Sequence, residues 1–275
     1  MEKVRFTEEK ATMLATLYGR ALDARSDRPI LGDKAADEAV KQIDYDFASL
    51  GVDEQLGLTV ALRAKPMDEW AAAFLREHPD ATVVQLGCGM DSRVYRVDPP
   101  PSVRWFDVDY PEVVDLRARI YPARDGYRTI GSSVTDFAWI DEIPSGKPGL
   151  VIAEGLTMYL RPSEGEELLR RLIAHFPQGG EMVFDTFSRL GIKLQKLNPV
   201  VRKAGATLYW GIDEISELER LGLTLVSKLD STDYATPEVK DRLSGSMRAQ
   251  LWVAGLFPAF KKMGRILRFR FGPRE

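Results

Sequence analysis

One cysteine and two histidines among 275 residues remove several chemistries at once. Cys88 alone cannot close an internal disulfide, and with only His78 and His175 beside it no typical structural zinc site can be assembled, so no metal is expected. No apolar run approaches the roughly 20 residues that a helix needs to cross a bilayer. The N-terminus, Met1-Glu2-Lys3-Val4-Arg5, alternates charge with apolar residues and lacks the apolar stretch of a signal peptide. Internal repeats, low-complexity tracts and Pro/Gly/Ser linkers are missing as well. Together these absences suggest one domain over 1–275, in a reducing, cytoplasmic setting and outside any membrane. A net charge of -3 gives no reason to expect a nucleic-acid partner. The basic residues from Lys261 to Arg270 alternate with apolar ones in a strand-like pattern, which suits a solvated strand face.

What is present is ordinary for a globular enzyme: 44% hydrophobic and 29% charged residues. From residue 82 onwards, β-branched and aromatic runs alternate with amphipathic stretches, the pattern of a doubly wound α/β sheet. Seven strands are predicted, at 82–86, 103–108, 127–130, 150–154, 181–187, 223–229 and 266–271. The alternation of Leu267, Phe269 and Phe271 with Ile266, Arg268 and Arg270 predicts an antiparallel, edge-side last strand. The expected fold is a Rossmann-like seven-stranded sheet, mostly parallel, with helices on both faces.

Met67, Trp70, Ala71, Phe74 and Leu75 predict a helix over 66–78, and Leu168, Leu169, Leu172, Ile173 and Phe176 predict another. Ser163 and Glu166 have the spacing of a capping box for the second. Gly179-Gly180 then turns the chain into the fifth strand. Residues 1–62 read as a helical cap, and 63–187 with 213–275 as the core. The connection 188–212 is longer than usual and reads as a lid or substrate insertion after strand five.

The first strand runs into Gly87-Cys88-Gly89-Met90-Asp91-Ser92, where small residues let the backbone approach a nucleoside. About 20 residues on stand Asp107 and Asp109, either of which could accept hydrogen bonds from ribose hydroxyls. Ser92 replaces the third glycine that brings a helix N-terminus against pyrophosphate, which disfavours a dinucleotide. Asp91, Asp107, Asp109, Asp136 and Glu154 all fall near predicted carboxyl ends of strands, a distribution that favours a cationic cofactor such as S-adenosylmethionine. Cys88 reads as a small packed residue rather than a nucleophile. Each histidine sits where a helix returns to a strand, on the side of the sheet away from that crevice, so neither is expected to act as a base.

Several ordered motifs resemble the leucine carboxyl methyltransferase family over nearly the whole chain. They are Thr16-Leu17-Tyr18-Gly19-Arg20-Ala21-Leu22 with Arg28-Pro29-Ile30-Leu31, then Leu62-Arg63-Ala64-Lys65 with Asp68, then Leu86 through Arg93. Phe106-Asp107-Val108-Asp109-Tyr110-Pro111-Glu112-Val113 and Glu154-Gly155-Leu156-Thr157-Met158-Tyr159-Leu160 follow. The resemblance implies that Arg63 holds the carboxylate of S-adenosylmethionine, Gly87, Cys88 and Gly89 approach its methionyl part, and Asp109 takes the ribose. It also implies that Asp136 and Phe137 flank the adenine and that Glu154 faces the α-ammonium. Lys65 stands where a second arginine is expected.

The implied activity is O-methylation of a carboxylate or phenolic hydroxyl of a small molecule, polyketide-like or aromatic. Tyr159, Arg189, Tyr209 and Trp210 are candidates for the acceptor side, although Tyr209 and Trp210 could equally anchor the 188–212 segment. The absence of a well-placed histidine favours an acceptor already ionised at neutral pH, such as a carboxylate near pKa 4, over a phenol near 10. A protein C-terminal carboxyl methyltransferase and a non-catalytic binding module on the same fold are the alternatives. The catalytic residues themselves are left unassigned.

Overall fold

The structure is a computed structural model that describes residues 2–3, 9–195, 206–233, 236, 239 and 241–273. Its centre is a seven-stranded sheet in the order β5-β4-β3-β6-β7-β9-β8. The strands are β3 (Thr82–Leu86), β4 (Arg104–Asp109), β5 (Tyr127–Gly131), β6 (Gly149–Ala153), β7 (Gly180–Phe187), β8 (Thr224–Asp230) and β9 (Gly264–Phe271). A two-residue parallel pair, β1 (Glu2–Lys3) and β2 (Ile43–Asp44), lies apart from it. β5, β4, β3, β6 and β7 are mutually parallel, and β9 runs antiparallel to both β7 and β8.

All seven expected strands are therefore present, each within two residues of its predicted bounds. The last strand is antiparallel as expected but is not at the edge. It is inserted between β7 and β8, which leaves β8 as the edge strand. Burial explains the placement: Ile266, Leu267 and Phe269 are wholly buried, whereas β8 alternates exposed and half-buried positions.

β3 and β6 are buried along their entire lengths, as central strands covered on both faces must be. On one face Val84, Leu86, Val151, Ala153 and Met182 pack with Leu168, Leu169 and Leu172 of α6 (Pro162–His175). On the other, Val83, Leu150, Ile152 and Val183 pack with Met67, Ala71 and Phe74 of α3 (Glu54–Glu77). The cap helices α1 (Glu9–Ala24) and α2 (Lys34–Gln42) share a third apolar cluster with Met90 and with α5 (Pro111–Ile120).

Two helix starts differ from expectation. The helix predicted from Pro66 begins at Glu54, where the Asp53 carboxylate accepts the Leu56 N–H at 2.8 Å, and it passes straight through Pro66. An interior proline costs a helix roughly 3 kcal/mol. Burial of Leu58, Val60, Ala61 and Ala64 upstream of it offsets that cost. α3 thus runs continuously across the expected border between cap and core. α6 begins at Pro162, and it is Glu164 that accepts the Arg161 N–H, at 2.9 Å; Ser163 lies inside the first turn and Glu166 pairs with Arg170 instead.

Of the predicted 188–212 lid, residues 196–205 lie outside the described residues. The flanks are anchored: α7 (Arg189–Lys193) is capped by the Ser188 hydroxyl, and Gly211 bridges to Phe187. The remaining helices are α4 (Arg93–Val97), α8 (Ser216–Glu219), α9 (Gly245–Leu256) and α10 (Pro258–Lys261), with 3-10 turns at Phe47–Leu50, Phe137–Glu142 and Thr157–Tyr159.

Candidate active site

In this strand order the chain's direction of winding reverses between β3 and β6, so their carboxyl ends flank a crevice of the kind in which open α/β sheets bind ligands. From β3 comes the glycine loop. Gly87 and Gly89 have φ of 57° and 48°, a left-handed backbone that favours glycine, and the Met13 side chain of α1 lies 3.0 Å from where a Cβ on Gly89 would stand. From β6 comes Glu154, followed by Gly155 at φ 69°.

Glu154 is engaged by three arginines. Its Oε1 lies 3.1 Å from both Arg20 Nη2 and Arg63 Nε, and its Oε2 accepts from Arg93 Nη2. Burial opposes its ionisation, but Arg20, Arg63 and Arg93 outweigh that and hold its carboxyl at about 2, so it is ionised at neutral pH. Arg93 also reaches Asp68 at 2.6 Å and Asp91 at 3.1 Å. Arg96 bridges Asp33, Asp68 and Asp91 at 2.6 to 2.8 Å. Asp33 caps α2 through the Ala36 N–H and accepts from the Ser92 hydroxyl, so the position that lacks the third glycine ties the loop to the cap.

The connected cluster holds four guanidiniums, on Arg20, Arg63, Arg93 and Arg96, against five carboxylates, on Asp33, Asp68, Asp91, Glu154 and Asp185. Asp185, at the end of β7, is a member the sequence reading missed. Its Oδ1 accepts the Gly155 N–H at 2.6 Å and its Oδ2 lies 3.5 Å from Arg63 Nη1. Burial pushes its carboxyl up, against the opposing pull of Arg63. The same rule that singled out Glu154, an acid at the carboxyl end of a strand, could have found it. For Arg20 no such signal exists, since it lies 134 residues from its partner.

Asp107 and Asp109 separate clearly. Asp109 is half-buried at the end of β4, where its carboxylate accepts the Gly89 and Tyr110 N–H groups at 2.7 Å. Asp107, the other acid offered for the ribose, lies inside the fold. Both its oxygens are taken inside the fold, one by Trp105 Nε1 at 2.8 Å and the other by Arg117 and by the Tyr127 hydroxyl at 2.8 Å. Its side chain is 1% exposed, so it cannot meet a ribose without breaking that network.

Asp136 precedes a 3-10 helix at Phe137–Glu142, and the Arg171 guanidinium lies 4.4 Å over the Phe137 ring. Beside them a cavity of about 300 Å³ is lined by Thr135, Phe137, Ser163, Glu164 and Glu167. Cys88 is buried and its thiol is pushed well up by desolvation, as an inert packed residue should be. His78 ends α3 with its ring against Phe74, and His175 ends α6 beside the Ile143 carbonyl at 2.8 Å; neither joins the cluster.

On the acceptor side, Tyr159 lies in the field of Arg63 and packs with Met158, Leu208, Phe187 and Ile192. Tyr209 is 47% exposed with the Arg161 guanidinium 5.2 Å over its ring. Trp210 takes the anchoring role instead: it is buried in the main core with its ring against Gly165. Arg189 is exposed and clasps Asp213 and Glu217. Lys65 pairs with Glu69 at 2.8 Å on the surface.

These residues fit S-adenosylmethionine. The surplus negative charge of the cluster suits a cofactor whose sulfonium, ammonium and carboxylate sum to one positive charge. Arg63, the most open of the arginines that contact Glu154, offers a cation for the carboxylate, and the buried Nε of Arg20 has no hydrogen-bond acceptor among the described residues.

Comparison with known proteins agrees. Residues 11–173 match the family described as leucine carboxyl methyltransferase. The tetracenomycin polyketide synthesis O-methyltransferase TcmP of Streptomyces glaucescens is 44% identical, over 98% of this chain and 99% of that one. The S-adenosyl-L-methionine-dependent methyltransferase dpfgK of Gibberella zeae is 35% identical over 79% of this chain and 80% of that one. Among solved structures, a DUF574 family protein of Streptomyces avermitilis shares the fold with TM-score 0.60 and 14% identity, covering 94% and 97% of the two chains. A Thermobifida fusca protein does so with TM-score 0.57 and 19% identity, covering 94% of each. With a family match over more than half its length and a near full-length relative, the chain belongs to the leucine carboxyl methyltransferase family and is an S-adenosylmethionine-dependent O-methyltransferase.

Proposed function

We propose that this enzyme methylates an oxygen of a small aromatic or polyketide-like acceptor, with a carboxylate as the preferred nucleophile. The observation that carries this reading is the chemistry around Arg63. The groups grouped there are carboxylates, guanidiniums and one phenol, and neither histidine joins them. A site so composed suits a nucleophile that is already ionised at neutral pH. The resemblance to TcmP, whose name assigns it to polyketide O-methylation, supports the acceptor class.

When bound, the cofactor supplies a methyl group on a sulfonium, activated before any protein group acts. Glu154 is assigned to the α-ammonium, Arg63 to the carboxylate and Asp109 to the ribose. Asp136 and Phe137 are assigned to the adenine, and the backbone of Gly87, Cys88 and Gly89 to close approach. The chain's own contribution is alignment and exclusion of water. Held by these residues, the cofactor would present its methyl group in line with the acceptor oxygen, and its thioether would be the leaving group. For a phenol the proton also has to leave, which requires a base that neither histidine supplies.

Tyr159 with Phe187, Ile192 and Leu208 would supply the apolar wall for an aromatic acceptor. Among the described residues no helix is long and apolar enough to cross a membrane, and the lone buried cysteine suits a cytoplasmic setting. The test is a panel of aromatic carboxylic acids, the same acids blocked as esters, and phenols, incubated with S-adenosylmethionine and read by mass spectrometry. Gain of one methyl group by the free acids alone supports the reading; transfer to phenols with the acids inert would move the assignment to the hydroxyl.

A further inference from the structure

Three successive carbonyl oxygens of the glycine loop are taken by side chains from the C-terminal end of α5. Arg117 Nη1 donates to the Gly89 and Asp91 carbonyls at 2.8 Å each, and the Tyr121 hydroxyl donates to the Met90 carbonyl at 2.8 Å. The carbonyl before them, on Cys88, accepts the Asp91 N–H at 2.9 Å. Arg117 and Tyr121 are four residues apart, so one face of one turn presents both donors. The guanidinium carbon lies 5.2 Å from the centre of the Tyr121 ring, which joins them further.

A guanidinium taken out of water, as Arg117 is, needs a counter-charge. Asp107 supplies it by accepting from Arg117 Nη2, which also donates to the Tyr127 hydroxyl at 2.7 Å. Arg117 therefore joins β4, through Asp107, to the loop that follows β3. Replacing a buried ion pair by apolar side chains of similar volume is often neutral or stabilising, so stability alone does not account for this one. What the charged group adds is a grip on the loop carbonyls. In a trans peptide the N–H points opposite to the carbonyl, so holding these carbonyls on the α5 side settles how the peptide planes face. Gly87 and Gly89, at φ of 57° and 48°, lack the side chains that would otherwise restrict them. The Gly89 N–H meets the Asp109 carboxylate at 2.7 Å, so the loop's orientation passes directly to the acid assigned to the ribose.

We infer that Arg117 and Tyr121 are positioning residues that hold the glycine loop in its cofactor-binding form before the cofactor arrives. Both act through the backbone of residues 89–91 rather than by touching the cofactor. Asp107 then has a task distinct from that of Asp109: it anchors Arg117. A loop that visits its binding form for only a fraction of the time binds with an affinity reduced by that fraction. The inference rests on the assignment of the glycine loop and Asp109 to the cofactor.

Calorimetry separates this role from plain structural support, because a folding defect lowers the number of sites per chain whereas a misplaced loop weakens each site. S-adenosylmethionine is titrated into the intact chain and into Tyr121→Phe, Arg117→Lys and Asp109→Asn. Tyr121→Phe deletes one hydroxyl and is expected to raise the dissociation constant about 5- to 10-fold with the site number unchanged. Arg117→Lys keeps the charge and loses the fork that spans two carbonyls and Asp107, and is expected to raise it about 10- to 100-fold. Without cofactor, hydrogen exchange in residues 87–92 should be faster in both variants than in the intact chain, with β6 and α6 unchanged. If Arg117→Lys fails to fold, Tyr121→Phe carries the test alone. An unchanged dissociation constant in the folded variants, or a fall in site number by itself, overturns the inference. If Asp109→Asn weakens binding and the two α5 variants do not, the role of Arg117 and Tyr121 alone is wrong. If none of the three weakens binding, the assignment of the loop and Asp109 falls with it.

Discussion

Asp107 and Asp109 are two residues apart on β4, so they share a face of the strand and differ only in depth. Sequence spacing makes them equivalent, and only the partners tell them apart. Replacing Asp107 by Asn leaves Arg117 buried without its counter-charge, and loss of one partner of a buried pair costs roughly 3–5 kcal/mol. Urea unfolding should show that loss. Asp109→Asn leaves one of the Gly89 and Tyr110 N–H groups without its acceptor and should cost about 1–3 kcal/mol, less than Asp107→Asn, while weakening S-adenosylmethionine about 10-fold. The reverse pattern, with binding lost in Asp107→Asn at unchanged stability, would restore Asp107 as the ribose ligand. Cys88 gives a second check at this scale. Its buried thiol, held up by desolvation, should resist alkylation in the folded protein and react on unfolding, as mass spectrometry can follow. Labelling of the native chain at the unfolded rate would contradict its packing.

The crossing of α1 and α3 is where helix geometry sets the site. Gly19 and Gly57 face each other there, and a Cβ on Gly57 would stand 2.9 Å from the Gly19 carbonyl oxygen, a backbone atom that cannot swing aside. Gly57→Ala gains about 1 kcal/mol of helix propensity and incurs overpacking of about 1–3 kcal/mol. A net loss is expected, and since Arg20 follows Gly19 directly, affinity for S-adenosylmethionine should fall with it. A more stable variant with unchanged affinity would show that the helices separate without disturbing Arg20. At this same scale the sequence was most informative about strands. β3 and β6 are short runs buried on both faces, and β3, β4, β5, β8 and β9 end at or beside a glycine or aspartate, so composition and punctuation agree. Helix starts were less legible because Pro66 and Ser163 carry the local signals of a first turn. Burial of Leu58, Ala61 and Ala64 decided the first start, and Pro162 with Glu164 decided the second. The place of β9 between β7 and β8 is a pairing of distant segments, which local alternation cannot specify.

Across the whole molecule, the residues at strand ends could be read from order and spacing, whereas the ion-pair cluster could not. Glu154 meets Arg93, Arg63 and Arg20 across 61, 91 and 134 residues of chain. That cluster gives stability a pH dependence of known sign. The Glu154 carboxyl is held at about 2 against an ordinary value of 4.5, so its stabilisation is fully present above 4.5 and is lost as pH falls towards 2. The stability difference between the intact chain and Glu154→Gln, from urea midpoints taken from neutral pH down to about 3, should therefore shrink on acidification. A constant difference would mean that Glu154 titrates alike in folded and unfolded chains.

The cap and the core are held together by the ion-pair cluster and its neighbours: Arg20 on Glu154, Asp33 on Ser92 and Arg96, with Met13 against the glycine loop. A ligand that binds only the folded state stabilises it by about 2.7 kcal/mol at 100 times its dissociation constant. If the cap shares in binding, that stabilisation reaches helices outside the sheet. Hydrogen exchange with saturating S-adenosylmethionine should then slow amides in Glu9–Ala24 and Lys34–Gln42 as well as in the loop after β3. In Arg20→Gln, saturated to the same extent, the effect on α1 should be reduced while that on the loop persists. Protection confined to the loop and strand ends of the intact chain would instead mean that the core binds the cofactor alone and that the cap is only a cover.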